Sequence, residues 1–457
     1  MKLVKLSLVA ALAASSISVL EAKPLEEAIK NVDVSGMMRY RFEQSSPSKE
    51  SYTNIGGYIG ETNAPHKFRA FVGAKIDAGD GFKLFGQLMY NNDKNGGWYK
   101  DGSDDPALTT TKQEVVLKQA YLQYDLADAG VSVIFGKQQL GTIWTADFTG
   151  MAAKVLITPT QGLTIAAFGV DSFEGSTGDG DAFNPGNATM PADNEFTDEN
   201  NAQLTGQALK DAKAAYRKEA DGAIYNNNMY GAAVLANFAG LDAQVWGAYW
   251  DRIATLYAVN LKYTLGLGGG NNAGVKVTYL GNSMDSDLKD SFANGNLVDG
   301  RLFAKFSGLD ARVGGIFFGS KKNKLTINTL EDVTGPDLYI GREMMFSGNT
   351  KLVQAKGQSV FGYVGVGYTL PADFRIGLQG VFGQNTEAQT TGADRKDTKM
   401  EGVVELGYKA NKNLSFETYY SYLHSKLKNS TYNKTGSADT SDSLGRHAVR
   451  FQALYKF

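Results

Sequence analysis

Residues 447–457 read His-Ala-Val-Arg-Phe-Gln-Ala-Leu-Tyr-Lys-Phe and end the chain on an alternating pattern. His447, Val449, Phe451, Ala453, Tyr455 and Phe457 form a mostly apolar, aromatic set. Ala448, Arg450, Gln452, Leu454 and Lys456 interleave with them and carry the charge. Successive side chains of a strand point to opposite faces, so this spacing specifies a strand with one apolar and one polar face. A last strand ending on an aromatic residue is what barrel-assembly machinery takes hold of in the outer membrane, provided that the chain is exported.

The other end meets that condition. Residues 1–22 read as a secretory signal peptide: cationic Met1 to Lys5, apolar Leu6 to Leu20, and the small Ala22 at the cleavage point. No later apolar run approaches the length of a membrane helix. Cysteine is absent, which excludes disulfides, thiolate chemistry and cysteine metal sites. Losing Lys2, Lys5 and Glu21 with the signal moves the formal charge from −2 to −3, without the basic footprint that a nucleic-acid partner needs. Gly 53, Tyr 23 and Phe 24 against Pro 9 suit a large β-protein with aromatic girdles.

Working inward, the pattern predicts a short helix near Pro24–Lys30, then eighteen strands of about ten to fourteen residues, the length of a tilted membrane strand. The first nine fall near 32–44, 66–78, 81–92, 113–126, 130–139, 150–158, 162–173, 227–238 and 241–253. The rest fall near 256–266, 272–283, 297–308, 310–320, 357–370, 373–385, 398–410, 413–427 and 445–457. Tight links such as Ala78-Gly79-Asp80-Gly81, Ala239-Gly240 and Asn411-Lys412 are turn chemistry. They alternate with mostly long polar loops. The fold class is therefore all-β: a transmembrane antiparallel barrel over residues 23–457, with short periplasmic turns and long extracellular loops. An even strand number brings both ends to one rim, where the last strand pairs with the first and leaves no open edge in lipid. The longest loop, 174–226, is expected to fold inward, cap the mouth or present a surface, and Gln203–Ala220 has helical composition.

If the apolar parity faces lipid, the other parity lines the lumen. That set holds Arg39 and Arg41 on the first strand, Lys67, Arg69 and Lys75 on the second, and Arg446, Arg450 and Lys456 on the last. Closure makes these strands neighbours, so the expectation is one basic wall, joined by Arg375 and Lys137. The bland alternative is that these cations brace the wall through carboxylates. Carboxylates collect mainly in loops, where they are suited to an inward loop facing that wall or to a hard divalent cation. Only His66, His424 and His447 are available for catalysis, and no Ser or Asp constellation around them is legible. Gly266, Gly268, Gly269 and Gly270 sit in a turn rather than a phosphate loop.

Several blocks resemble the major outer membrane porins of campylobacters. These are PLEEAIKNVDVSGMMRYRF (24–42), GKQQLGTIWT (136–145), LTIAAFGVDSF (163–173), WGAYWDRI (246–253), YLGNSMDSDL (279–288), FGYVGVGYTL (361–370) and the terminal FQALYKF. The resemblance implies an eighteen-stranded homotrimer in the outer membrane, in contact with lipid and lipopolysaccharide, passing ions and small hydrophilic solutes with mild cation preference. It also implies Ca2+ at the constriction, held by carboxylates of inward loops. Local context carries that role onto Asp147 after the Ile-Trp-Thr block, Asp181 after Val-Asp-Ser-Phe, and Glu331 after Gly-Ser-Lys-Lys. Two other readings stay open: an adhesin or structural barrel with a plugged lumen, and a substrate-specific barrel transporter. About ten residues between the signal and the first strand leave no room for an N-terminal plug.

Overall fold

The computed structural model describes residues 32–47, 66–91, 115–173, 196–198, 202–213, 227–322, 324–331, 337–339, 341–344, 350–353, 355–389, 392–429 and 441–457. Residues 1–22, expected to be a signal peptide, the 24–30 segment and Asp181 lie outside them. Most of 174–226 does too; its described part holds a short helix at 206–213, inside the stretch of helical composition.

One closed antiparallel sheet dominates. Its first half is β1 (Val32–Pro47), β2 (His66–Gly79), β3 (Phe82–Asn91), β4 (Val116–Leu126), β5 (Val131–Gln139), β6 (Thr149–Thr160), β7 (Leu163–Phe173), β8 (Met229–Phe238) and β9 (Leu241–Trp250). It continues with β10 (Ala254–Gly268), β11 (Asn271–Met284), β12 (Asn296–Phe306) and β13 (Leu309–Gly319). Two short strands, β14 (Leu325–Thr326) and β15 (Ala355–Lys356), pair only with each other. β16 (Gln358–Leu370), β17 (Phe374–Glu387), β18 (Arg395–Lys409), β19 (Leu414–Lys428) and β20 (Ser441–Lys456) complete the barrel. All eighteen predicted membrane strands are present, with ends shifted by a few residues.

Every barrel strand pairs with its sequence neighbour in the sheet, and β13 pairs directly with β16 across the intervening loop. Closure comes from β1 and β20, in register from Met37↔Lys456 to Pro47↔Arg446. Phe457 extends that pairing: Gly36 N donates to its carbonyl at 2.9 Å, and its own N–H donates to Gly36 O at 3.0 Å. Gly36 is required there, because a Cβ would overlap the Phe457 ring. Closure leaves no backbone edge to satisfy in hydrocarbon.

The short links lie on the rim that carries both described ends of the barrel. Ala239 and Gly240 form one of them, with φ of 47° and 86°, the positive values that two-residue hairpin turns use. Outward residues such as Phe382, Val360, Val364, Leu378 and Met400 are exposed around the girth. In a soluble sheet these would be the core face; here they meet lipid. The buried apolar cluster lies elsewhere. It joins Trp144 and Phe148, Phe292, and Leu330, Met344 and Leu352 to wall residues such as Trp246, Trp250 and Phe361. The core of this barrel is thus the seam between inward loops and wall.

Candidate functional site

The β1–β2 register sets Arg39 opposite Arg69 and Arg41 opposite Lys67. Like charges directly opposite on one face repel, so this ladder needs carboxylates. Two supply them. Glu43 on β1 accepts from Lys67 Nζ at 2.6 Å, pairs with Arg450 Nε at 2.6 Å and lies 3.5 Å from Arg41 Nη1. Asp147, from the loop between β5 and β6, reaches Arg69 Nη1 at 3.3 Å. Arg69 is 1% exposed and Asp147 is 38% exposed, so the pair has a buried cation and a wet anion. Arg41 also donates to Gln452 Oε1 at 2.8 Å. Arg39 is buried beside this group. Arg375 stands apart on β17, 2.7 Å from Asp310 and 3.6 Å from Glu405.

Described residues of the segment between β13 and β16 reach across the lumen. Near its start, Glu331 accepts backbone N–H groups from Asp147 at 3.2 Å, Phe148 at 3.0 Å and Ala146, joining two loops on opposite sides of the barrel. Farther on, Asp337 pairs with Arg301 of β12 at 3.0 Å and lies 3.5 Å from Lys276 of β11. Gly341, at φ 74°, lets the backbone bend against Glu401 of β18. That carboxylate accepts from the N–H of Arg342 at 2.8 Å, Glu343 at 2.9 Å and Met344 at 3.0 Å, and from Ser421 Oγ at 2.7 Å. The Arg342 guanidinium then binds Glu405 and, at 2.7 Å, Glu417. Glu343 accepts from Tyr419 at 3.0 Å and pairs with Arg446 of β20 at 3.1 Å. Thr350 accepts from the buried Lys399 Nζ at 2.7 Å. The segment is therefore fastened to β11–β12 on one flank and β18–β20 on the other.

An eighteen-stranded closed barrel with a charged lumen and a loop across it has the form of an outer-membrane channel. The family model described as "Campylobacter major outer membrane protein" matches residues 1–457. The chain belongs to that family. No curated relative matches it. Among solved structures it is similar to Acinetobacter baumannii OccAB3, at 12% identity and TM-score 0.59, covering 94% of this chain and 100% of that one. Pseudomonas aeruginosa OccK9 (OpdG) gives 12% identity and TM-score 0.61 over 94% and 100%, and P. aeruginosa OpdL gives 13% and 0.58 over 94% and 99%. At such identities they show the shared fold. The protein is an outer-membrane porin.

Of the three carboxylates to which the family resemblance assigned calcium, Asp147 and Glu331 meet in this porin and Asp181 lies outside the described residues. The two do not fit a hard cation as arranged. Glu331 directs its oxygens at three backbone N–H groups and Asp147 faces Arg69, whereas calcium takes six to eight oxygens. Among the described residues no three His, Asp or Glu side chains cluster as a metal site. Burial raises the Glu331 carboxyl above its ordinary 4.5, with the backbone donors opposing. Burial also pushes the Tyr339 hydroxyl up to about 12.

Several lumenal groups of the porin were missed because carboxylates were sought in loops. Glu43, Asp299, Glu401, Glu405 and Glu417 stand on strands, each paired with a cation or bound to the loop. The signal was present in β18, where Asp397, Lys399, Glu401 and Glu405 share the parity opposite exposed Met400. The wall of β1, β2 and β20 is accordingly basic with Glu43 at its centre. Lys137 belongs to the outer face: it is registered with exposed Met151, and its Nζ donates to Leu117 O. The three histidines also sit at outward positions, where His66 meets Tyr40 Oη at 2.6 Å, His447 meets Tyr420 Oη at 2.7 Å and His424 meets Ser443 Oγ at 3.2 Å.

Proposed function

We propose that the segment between β13 and β16 forms the constriction of this diffusion porin, that Arg41, Lys67 and Arg450 face its conducting path, that buried Arg39 and Arg69 add their charge from behind them, and that Arg375 lies on a separate stretch of wall. The observation that carries this reading is the pair of fastenings, Glu331 to Ala146–Phe148 and Glu401 to Arg342–Met344, which hold one loop across the lumen. Fixed charges of both signs in a narrow aqueous passage focus the field on a solute and sort by size and charge together. Selectivity then comes from the balance of Glu43, Asp147 and Glu343 against the basic wall.

The natural absence of cysteine makes a clean test. Asp147→Cys in the purified porin, treated with a charged thiosulfonate in planar bilayers, should lose conductance. Val360→Cys, on the lipid face, should not. Unchanged current from a fully labelled Asp147→Cys barrel would place that side chain outside the conduction path.

Family membership supports a homotrimer, to be seen as conductance steps in threes. The strand pairing of Phe457 supports capture of the last strand by barrel-assembly machinery. Exposed Lys396, Lys426 and Lys428 on the outer face, at the long-loop rim, support contact with lipopolysaccharide phosphates.

A further inference from the structure

We infer that the porin carries a second solute site on the short-turn side of the constriction, a recess that takes small organic dicarboxylates. The inference rests on the porin reading and names a solute class for it. The recess has a volume of about 410 Å³ and lies between the inward faces of β9 to β13, with Asp337 of the loop above it. That volume is within the range of small-ligand sites, roughly 300–1,000 Å³.

Five cations line it: Lys262, Lys276, Arg301, Lys305 and Arg312. Three carboxylates also line it, and two of them are occupied. Asp337 is held by Arg301 and Lys276, and Asp310 by Arg375 from β17. The remaining positive charge sits on Lys262, Lys305 and Arg312, opposed by Asp242 alone. Each of these cations is a lumenal group near mid-barrel or below. Lys262 is registered with Asp242 one turn from the short rim, and Lys305 with Asp310.

The lining is also suited to carbon. Lys262 Nζ lies 5.4 Å from the centroid of Phe303, and the Arg312 guanidinium lies 3.8 Å from that of Tyr339. An anion with an apolar middle can use the Phe303 ring as well as the cations, whereas an inorganic ion would use the charge only. Lys262 and Lys305 are exposed to lumenal water, so attraction there is screened and the site is weak enough to release its solute, as conduction requires.

The test is single-channel recording of the purified porin in potassium chloride at pH 8, with succinate added at constant ionic strength. Succinate should produce concentration-dependent current noise; 1,4-butanediol should not. Lys262→Gln/Lys305→Gln should lower the apparent succinate affinity about tenfold while channel steps in chloride persist. Lys426→Gln/Lys428→Gln, the same charge change on the outer face, should leave the succinate effect unchanged. Steps in chloride with no succinate noise, or noise indifferent to the lumenal double variant, would overturn the site and leave the porin reading intact. Equal noise from inorganic phosphate would overturn the assignment to organic anions. Absence of any channel steps would remove the porin reading and the site with it.

Discussion

Glu401→Ala is the most direct test of the loop fastening. The side chain is 1% exposed and accepts three backbone N–H groups from Arg342, Glu343 and Met344 within 3.0 Å, besides the Ser421 hydroxyl. A hydrogen bond to a charged group contributes about 1.5–3 kcal/mol, so the three amide bonds at the lower limit amount to about 4.5 kcal/mol. The released amides regain water once the loop shifts, which offsets roughly half. The net is about 2 kcal/mol, or roughly thirtyfold in the ratio of seated to unseated loop. Arg342, Asp337 and Thr350 keep their own partners, so the barrel should stay folded and the loop should lift at one flank only. Single-channel recording should then show high-conductance excursions about thirtyfold more often than in the parent, and liposome swelling should admit larger sugars. Gly341→Ala should reproduce the effect, because its Cβ would press on the Glu401 carboxylate and its φ is positive. Glu401→Gln keeps one acceptor oxygen and should fall between. Identical conductance histograms for Glu401→Ala, from protein whose heat-modifiable mobility shows a closed barrel, would refute the reasoning.

Glu331 makes the loop pH-sensitive with a definite sign. Its carboxyl is raised by burial in the seated loop, so protonation favours that state. The gain is absent above the raised value, grows as pH falls through it and is complete below the ordinary 4.5. Conductance fluctuations should therefore quieten on acidification, and Glu331→Gln should flatten this dependence. Glu43→Gln leaves Arg41, Lys67 and Arg450 without their shared carboxylate; the potassium-to-chloride permeability ratio should fall about twofold in a salt gradient. Arg69→Gln should move the reversal potential the other way. Deleting Phe457 removes two backbone hydrogen bonds to Gly36, about 1 kcal/mol each, and should lower the temperature of the heat-modifiable mobility shift on gels. Gly36→Ala should do likewise and be partly rescued by Phe457→Ala.

Strand parity was readable because it is local. Arg39, Arg41, Lys67, Arg69 and Arg450 could be assigned to one face from the apolar residues on either side of each. The same rule would have found Glu401 and Glu405, had carboxylates been sought on strands. It also places Lys137, expected in the basic wall, on the outer face, because Lys137 shares the parity of Val131, Val133 and exposed Phe135 in an unbroken register.

Alternation, turn residues and the terminal strand were sufficient to specify eighteen strands, their order and the lipid-facing surface. Each of those properties is set within a few residues, by the two-residue period of a strand or by a hairpin turn. The crossing loop is a different kind of fact. Glu331 meets Ala146 across 185 residues of sequence, and Glu401 meets Arg342 across 59. Nothing in the spacing of either segment marks its partner. Only closure of the barrel brings the two loops into one lumen, where buried carboxylates must find donors, and that requirement selects the contacts between loops and wall.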